Sequence, residues 1–135
     1  MAELGFGLMR LPLLDTADKS SVDIETTSEK LRQYIASGFR YFDCGFYYHG
    51  GQSESIFGEY VAAEYDRENF IITSKLPVSH LREQSECEAV FGKRLQWCRI
   101  SYFDCYLLHG IGRKVYPKLK DLKAFEFLSE QKNWD

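Results

Sequence analysis

Short apolar runs alternate along the chain with longer stretches in which apolar residues recur at helical spacing. The runs at 4–9, 39–43, 70–74 and 102–108 read as strands, because they are short and carry no 3.6-residue stripe. Helices are predicted between and after them. The stretch 26–37 carries Leu31, Tyr34 and Ile35, and 53–63 carries Ile56, Phe57, Tyr60 and Val61. The stretch 81–98 carries Cys87, Phe91, Leu95 and Cys98, and 116–131 carries Leu119, Leu122, Phe125 and Leu128. The first helix opens on a capping box, with Thr26 as the cap and Glu29 three residues later. Gly38 is suited to stop that helix.

The predicted order is βαβαβαβα. Helical crossovers between strands imply a parallel sheet. Near-continuous apolar strands are what such a sheet carries when both faces are covered. A doubly wound nucleotide fold would show a glycine-rich loop after the first strand. Met9-Arg10-Leu11-Pro12 stands there instead. A closed (βα)8 barrel of TIM type takes about 250 residues. The 135 residues of this chain suffice for the first four βα units, a half-barrel read as a single domain over 1–135. The tetrapeptide Tyr-Phe-Asp-Cys occurs twice, at 41–44 and 102–105, at the same place in the strand–helix rhythm.

Composition narrows the function classes. Apolar residues make up 44% and charged residues 27%, an ordinary globular balance rather than a disordered one. A net charge of −3 leaves no basic footprint for nucleic acid. The apolar stretch 4–14 is broken by Arg10 and Pro12 and has no basic leader, so neither a membrane span nor a signal segment is expected. A cytoplasmic protein follows. Cys44, Cys87, Cys98 and Cys105 show neither C-x-x-C nor zinc spacing and are expected to be reduced thiols, and no metal is expected.

Parallel barrels do chemistry at the carboxyl ends of their strands. Three consecutive predicted strands end on ionisable residues: Asp43, Lys75 and His109. Tyr48, five residues after Asp43, reaches toward the same mouth, and its offset favours it over Tyr47. His49 and His80 are read as solvated loop residues, Asp104 as a structural hydrogen-bonding residue, and Trp97 and Trp134 as packing residues. These types suit carbonyl reduction. The developing alkoxide needs a proton, and a tyrosine hydroxyl beside an ammonium gives one up more readily than a free phenol. Asp43 would hold Lys75, His109 would orient the carbonyl oxygen, and the hydride must come from a cofactor.

The segments LGFGLMRLP at 4–12, GFRYFDCGFYYHGGQSE at 38–54, ITSKLP at 72–77 and YFDCYLLHG at 102–110 carry a resemblance. In that order and spacing the chain resembles the aldo-keto reductase family. The resemblance implies a catalytic tetrad at Asp43, Tyr48, Lys75 and His109, an NADP or NAD cofactor, and a small-molecule aldehyde or ketone substrate. The chain departs from the family at Cys44-Gly45-Phe46, where Thr-Ala-Tyr is usual, and lacks most of the hairpin before the first strand. It also ends in or just after the fourth helix, so it is read as truncated. Most of the residues that the resemblance implies for holding the cofactor would lie on later strands. Two other readings follow. A catalytically inactive remnant would cover its open sheet edges and inner face by homo-oligomerisation. A metal-dependent barrel hydrolase would use Asp43 and His109.

Overall fold

The computed structural model describes residues 4–132. Among the described residues the strands and α-helices follow in the order β1 (Gly5–Gly7), α1 (Ile24–Ala36), β2 (Tyr41–Asp43), α2 (Ser53–Phe57), β3 (Ile71–Leu76), α3 (Ser85–Cys98), β4 (Cys105–Leu108), α4 (Tyr116–Asp121) and α5 (Ala124–Glu130). The strands form one sheet in the order β1-β2-β3-β4, and all three pairings are parallel. This is an α/β half-barrel, four βα units wound in sequence. No helix among the described residues is long and apolar enough to cross a membrane.

Strand alternation sorts the side chains onto two faces. Phe42 and Ile72 point to the helices and join Leu31, Phe57 and Val61 in one buried cluster. Leu76 leads a second buried cluster with Leu119, Leu122 and Phe127. Residues in the alternate positions lie on the opposite face. There Tyr41 bonds Thr73 through their hydroxyls at 2.7 Å, and Lys75 meets Asp43. The register aligns Gly7, Asp43 and Thr73 across three strands. The sheet therefore has one largely apolar face under helices and an opposite face that is polar at Tyr41, Asp43, Thr73 and Lys75 and apolar at Leu107.

Several boundaries differ from the sequence-based expectation. The first helix is capped by Asp23, not Thr26: the Asp23 carboxylate accepts the Thr26 N–H at 3.0 Å and its hydroxyl at 2.8 Å. A carboxylate is the stronger acceptor at the positive end of a helix. Gly38, with φ of 85°, ends the first helical segment as expected. The second helix is regular only to Phe57 and continues as a wider turn over Gly58–Ala62. A Cβ on Gly58 would lie 2.2 Å from the Trp97 carbonyl oxygen, so the turn after α2 and α3 approach to backbone contact there.

The third helix begins at Ser85 rather than Leu81, and Val78–His80 forms a separate tight turn before it. The expected fourth helix is two, α4 and α5, parted at Lys123, whose φ is 45°. The fourth strand starts only at Cys105. Before it the Asp104 carboxylate takes the Ile72 N–H at 2.8 Å and the Arg67 guanidinium at 2.6 Å. Asp104 thus has the structural bonding expected of it. Lys75 lies within β3 rather than just past its end.

A buried ion pair joins the helix layer to the sheet. Arg94 Nη1 and Glu54 Oε2 are 2.8 Å apart, with side chains 2% and 0% exposed. Ser74 of β3 donates to the other Glu54 oxygen at 2.6 Å. The Arg94 guanidinium lies between the Phe46 and Trp97 rings, 4.3 Å from each centroid. Removing one member of such a pair strands the other charge in the interior. Glu54→Gln is therefore expected to lower the unfolding free energy by about 3 kcal/mol, and Glu54→Leu with Arg94→Met to recover much of it. Urea denaturation reads both; a loss below about 1 kcal/mol for the single variant would show that the pair is dispensable.

Candidate active site

The sheet's polar face collects the ionisable residues. Lys75 is 9% exposed and stands one strand over from Asp43. Its ammonium donates to Asp43 Oδ1 and to the Cys44 carbonyl oxygen, both at 2.6 Å. An ammonium has three N–H donors, so one remains. Tyr48 lies close by, its ring centroid 5.0 Å from Lys75 Nζ. Burial alone would lower the Lys75 pKa. The bond to Asp43 and the neighbouring Tyr48 phenol outweigh it, and the Lys75 pKa is raised.

Tyr48 opens a tight helical turn, Tyr48–Gly51, in which His49 and Gly50 both take positive φ. Its ring lies flat against Gly45. A Cβ at that position would fall 2.8 Å from the Tyr48 ring carbon bearing the hydroxyl. His109 follows β4 and hydrogen-bonds back to the Leu76 carbonyl through its backbone N–H at 2.9 Å. Its imidazole packs edge-on to Tyr48, with centroids 5.8 Å apart, and lies 5.1 Å from the Tyr47 ring. The His109 Nδ1 is buried without a hydrogen-bond partner. Burial and the Lys75 charge lower the His109 pKa, so its imidazole is neutral near pH 7.

All four residues singled out from the sequence thus converge. Asp43, Lys75, Tyr48 and His109 form one continuous run of contacts. Tyr47 is drawn aside: its hydroxyl meets His80 Nδ1 at 2.6 Å and Ser79 Oγ at 2.8 Å. The rings of Tyr48 and His109 line a cleft of about 550 Å³ with Tyr47, Leu11, Arg10 and Lys19. Among the described residues no group of three or more His, Cys, Asp or Glu side chains is placed to hold a metal ion. The four cysteines are free thiols.

Two residues behave differently from expectation. His49 is buried, not solvated. Its Nε2 accepts the Leu11 N–H at 3.0 Å and its Nδ1 lies 3.0 Å from the Lys19 carbonyl oxygen. A carbonyl can only accept, so Nδ1 carries the proton and the ring is the neutral tautomer. Arg94 sits at the 87–91–94–98 spacing of the buried stripe of α3, where Leu95 was expected; that spacing was the signal for it.

The model of the aldo/keto reductase family matches residues 3–133. The chain belongs to the aldo/keto reductase family. Solved structures agree on the fold. An aldo-keto reductase of Bacillus halodurans in its holo form superposes with a TM-score of 0.70 at 23% identity, over 95% of this chain and 42% of its own. An aldo-keto reductase of Klebsiella pneumoniae in complex with NADPH gives 0.65 at 20%, over 95% and 42%. One of the silkworm Bombyx mori gives 0.68 at 20%, over 93% and 40%. The chain spans less than half the length of these relatives.

The site's geometry makes two expectations. Gly45→Ala puts a methyl where the Tyr48 ring lies, so the ring must shift. The change should appear as a shift of the Tyr48 ring resonances in NMR, and an unmoved ring would refute the packing. His109, with its pKa lowered, binds a proton in the unfolded chain before it does in the folded one. Stability should therefore fall as pH drops below about 6.5 toward the folded-state value. His109→Gln should flatten part of that slope in denaturation curves taken from pH 7 to pH 5.

Proposed function

We propose that this chain carries the proton-donating part of an NAD(P)H-dependent reductase that turns an aldehyde or ketone into an alcohol. The observation that carries the reading is the contact run Asp43–Lys75–Tyr48–His109, whose last two rings line one cleft. Tyr48 is the acid. As the carbonyl oxygen gains negative charge, the Tyr48 hydroxyl passes it a proton, and the remaining Lys75 N–H stabilises the phenolate left behind. Asp43 and the Cys44 carbonyl hold Lys75 charged and in place. His109, neutral, hydrogen-bonds the carbonyl oxygen and orients it.

A bound nicotinamide supplies the hydride that these side chains cannot. Among the described residues, those lining the cleft shared by Tyr48 and His109 would receive the reacting end of such a cofactor. The described residues provide no glycine-rich cradle for its phosphates, since Leu8 to Pro12 follows β1. Residues 1–135 are read as the N-terminal portion of the barrel, and the acid machinery is the part it holds.

Tyr48→Phe should lower turnover of an aldehyde panel about 10²- to 10⁴-fold with little change in fold. NADPH fluorescence titration and NADPH oxidation test the chain itself. If neither cofactor binding nor turnover is detected, activity of this chain is refuted.

A second reading has its own observation. Among the described residues β1 and β4 are sheet edges, and Leu107 and Ile111 stay 42% and 44% exposed at the β4 side. A noncatalytic half-barrel would bury them by pairing with a second copy. A single monomer boundary across concentrations in analytical ultracentrifugation would rule this reading out.

A further inference from the structure

The cleft beside Tyr48 and His109 carries two permanent cations, Arg10 and Lys19, and no carboxylate lines it. Neither cation takes part in any of the four ion pairs formed among the described residues. The nearest acids in their own loop are occupied otherwise. Asp18 Oδ1 accepts the Ser20 N–H at 2.8 Å and its hydroxyl at 2.6 Å, and Asp15 Oδ1 accepts the Ala17 N–H at 2.9 Å. These bonds shape the loop's turns, and no ion pair joins either acid to Arg10 or Lys19.

The loop is also tied to the catalytic turn. His49, the residue after Tyr48, bridges Leu11 and Lys19, the one adjacent to Arg10 and the other a cation itself. Gln52, at the end of the same turn, donates to the Ser20 carbonyl at 2.9 Å. Three hydrogen bonds thus fix the backbone under both cations relative to the Tyr48 ring. Unpaired charges of one sign at the mouth of a cleft focus a field on whatever enters it. Holding their backbone in advance removes part of the ordering cost of binding.

We propose that Arg10 and Lys19 form an anion-binding rim, and that the substrate is a carbonyl compound bearing a carboxylate or phosphate away from its reacting carbon. His49 is the positioning residue of this rim. The inference rests on the carbonyl-reductase reading for the word substrate, while the rim itself can be tested by binding alone. The competing source of the same chemistry is the pyrophosphate of the cofactor.

The test uses the full chain with 4-carboxybenzaldehyde and its methyl ester, titrated by calorimetry or NMR at low and moderate salt. The acid is expected to bind about tenfold more tightly than the ester, as one charge-assisted contact provides, and the gap should shrink with salt. Arg10→Gln and Lys19→Gln, both at exposed positions, should each narrow the gap, and the double variant should close it. His49→Leu should narrow it without touching either cation, whereas Tyr48→Phe should keep it. Equal binding of acid and ester overturns the proposal, as does a gap that survives the double variant. It is equally overturned if the double variant weakens NADPH binding and leaves the acid–ester ratio unchanged, since the rim would then serve the cofactor. A retained gap in a chain that reduces neither aldehyde supports the rim and counts against the reductase reading alone.

Discussion

Lys75 sits within the central run of the sheet's polar face, nine-tenths buried, and an ammonium there must be paired. Two acceptors at 2.6 Å meet that need, the Asp43 carboxylate from the neighbouring strand and the Cys44 carbonyl just beyond it. The pairing works only because β2 and β3 run parallel in a register that sets Asp43 beside Thr73. A slip by one residue would turn Asp43 toward the helices and leave the ammonium without a partner. The same constraint sets the ammonium 5.0 Å from the Tyr48 ring centroid and near enough to His109 to lower its pKa. The polar face is organised around this one charge.

The other face is organised around a second charge. Arg94 and Glu54 are both buried, and Ser74 links them to the strand that carries Lys75. Adjacent residues of β3 therefore serve opposite layers: Ser74 ties the sheet to α2 and α3, and Lys75 holds the site. Phe46, next to the Tyr47–Tyr48 pair, lies on the Arg94 guanidinium. The loop that presents Tyr48 is thus clamped from the helix side as well as from the sheet. Close packing of Tyr48 on Gly45 leaves that ring little room to move.

His49 shows how the remaining loop joins the same frame. A histidine at positive φ, holding one backbone donor and one backbone acceptor from a distant loop, does the work of a strut. Through it the segment after β1, which forms no regular element of its own, becomes part of the cleft wall. The cleft is built from two loops joined by hydrogen bonds and one strand end, and its shape depends on all three.

Much of this could be read from the residues. Apolar periodicity revealed the alternation of strands and helices, because burial on a sheet and on a helix imposes different spacings. Asp43, Tyr48, Lys75 and His109 stood out as polar residues at or near strand ends, where a parallel barrel has its open rim. What periodicity could not reveal was any interaction between distant segments. The Asp23 cap displaced the Thr26 capping box because a carboxylate three residues upstream reached the same donor. Strand four began late because the Asp104 side chain took the Ile72 N–H. The buried roles of His49, Glu54 and Arg94 arise from partners 20 to 40 positions away in the chain. Local spacing follows from the chain's own order, but the pairing of buried polar groups is decided only when folding removes water and forces each to find a partner.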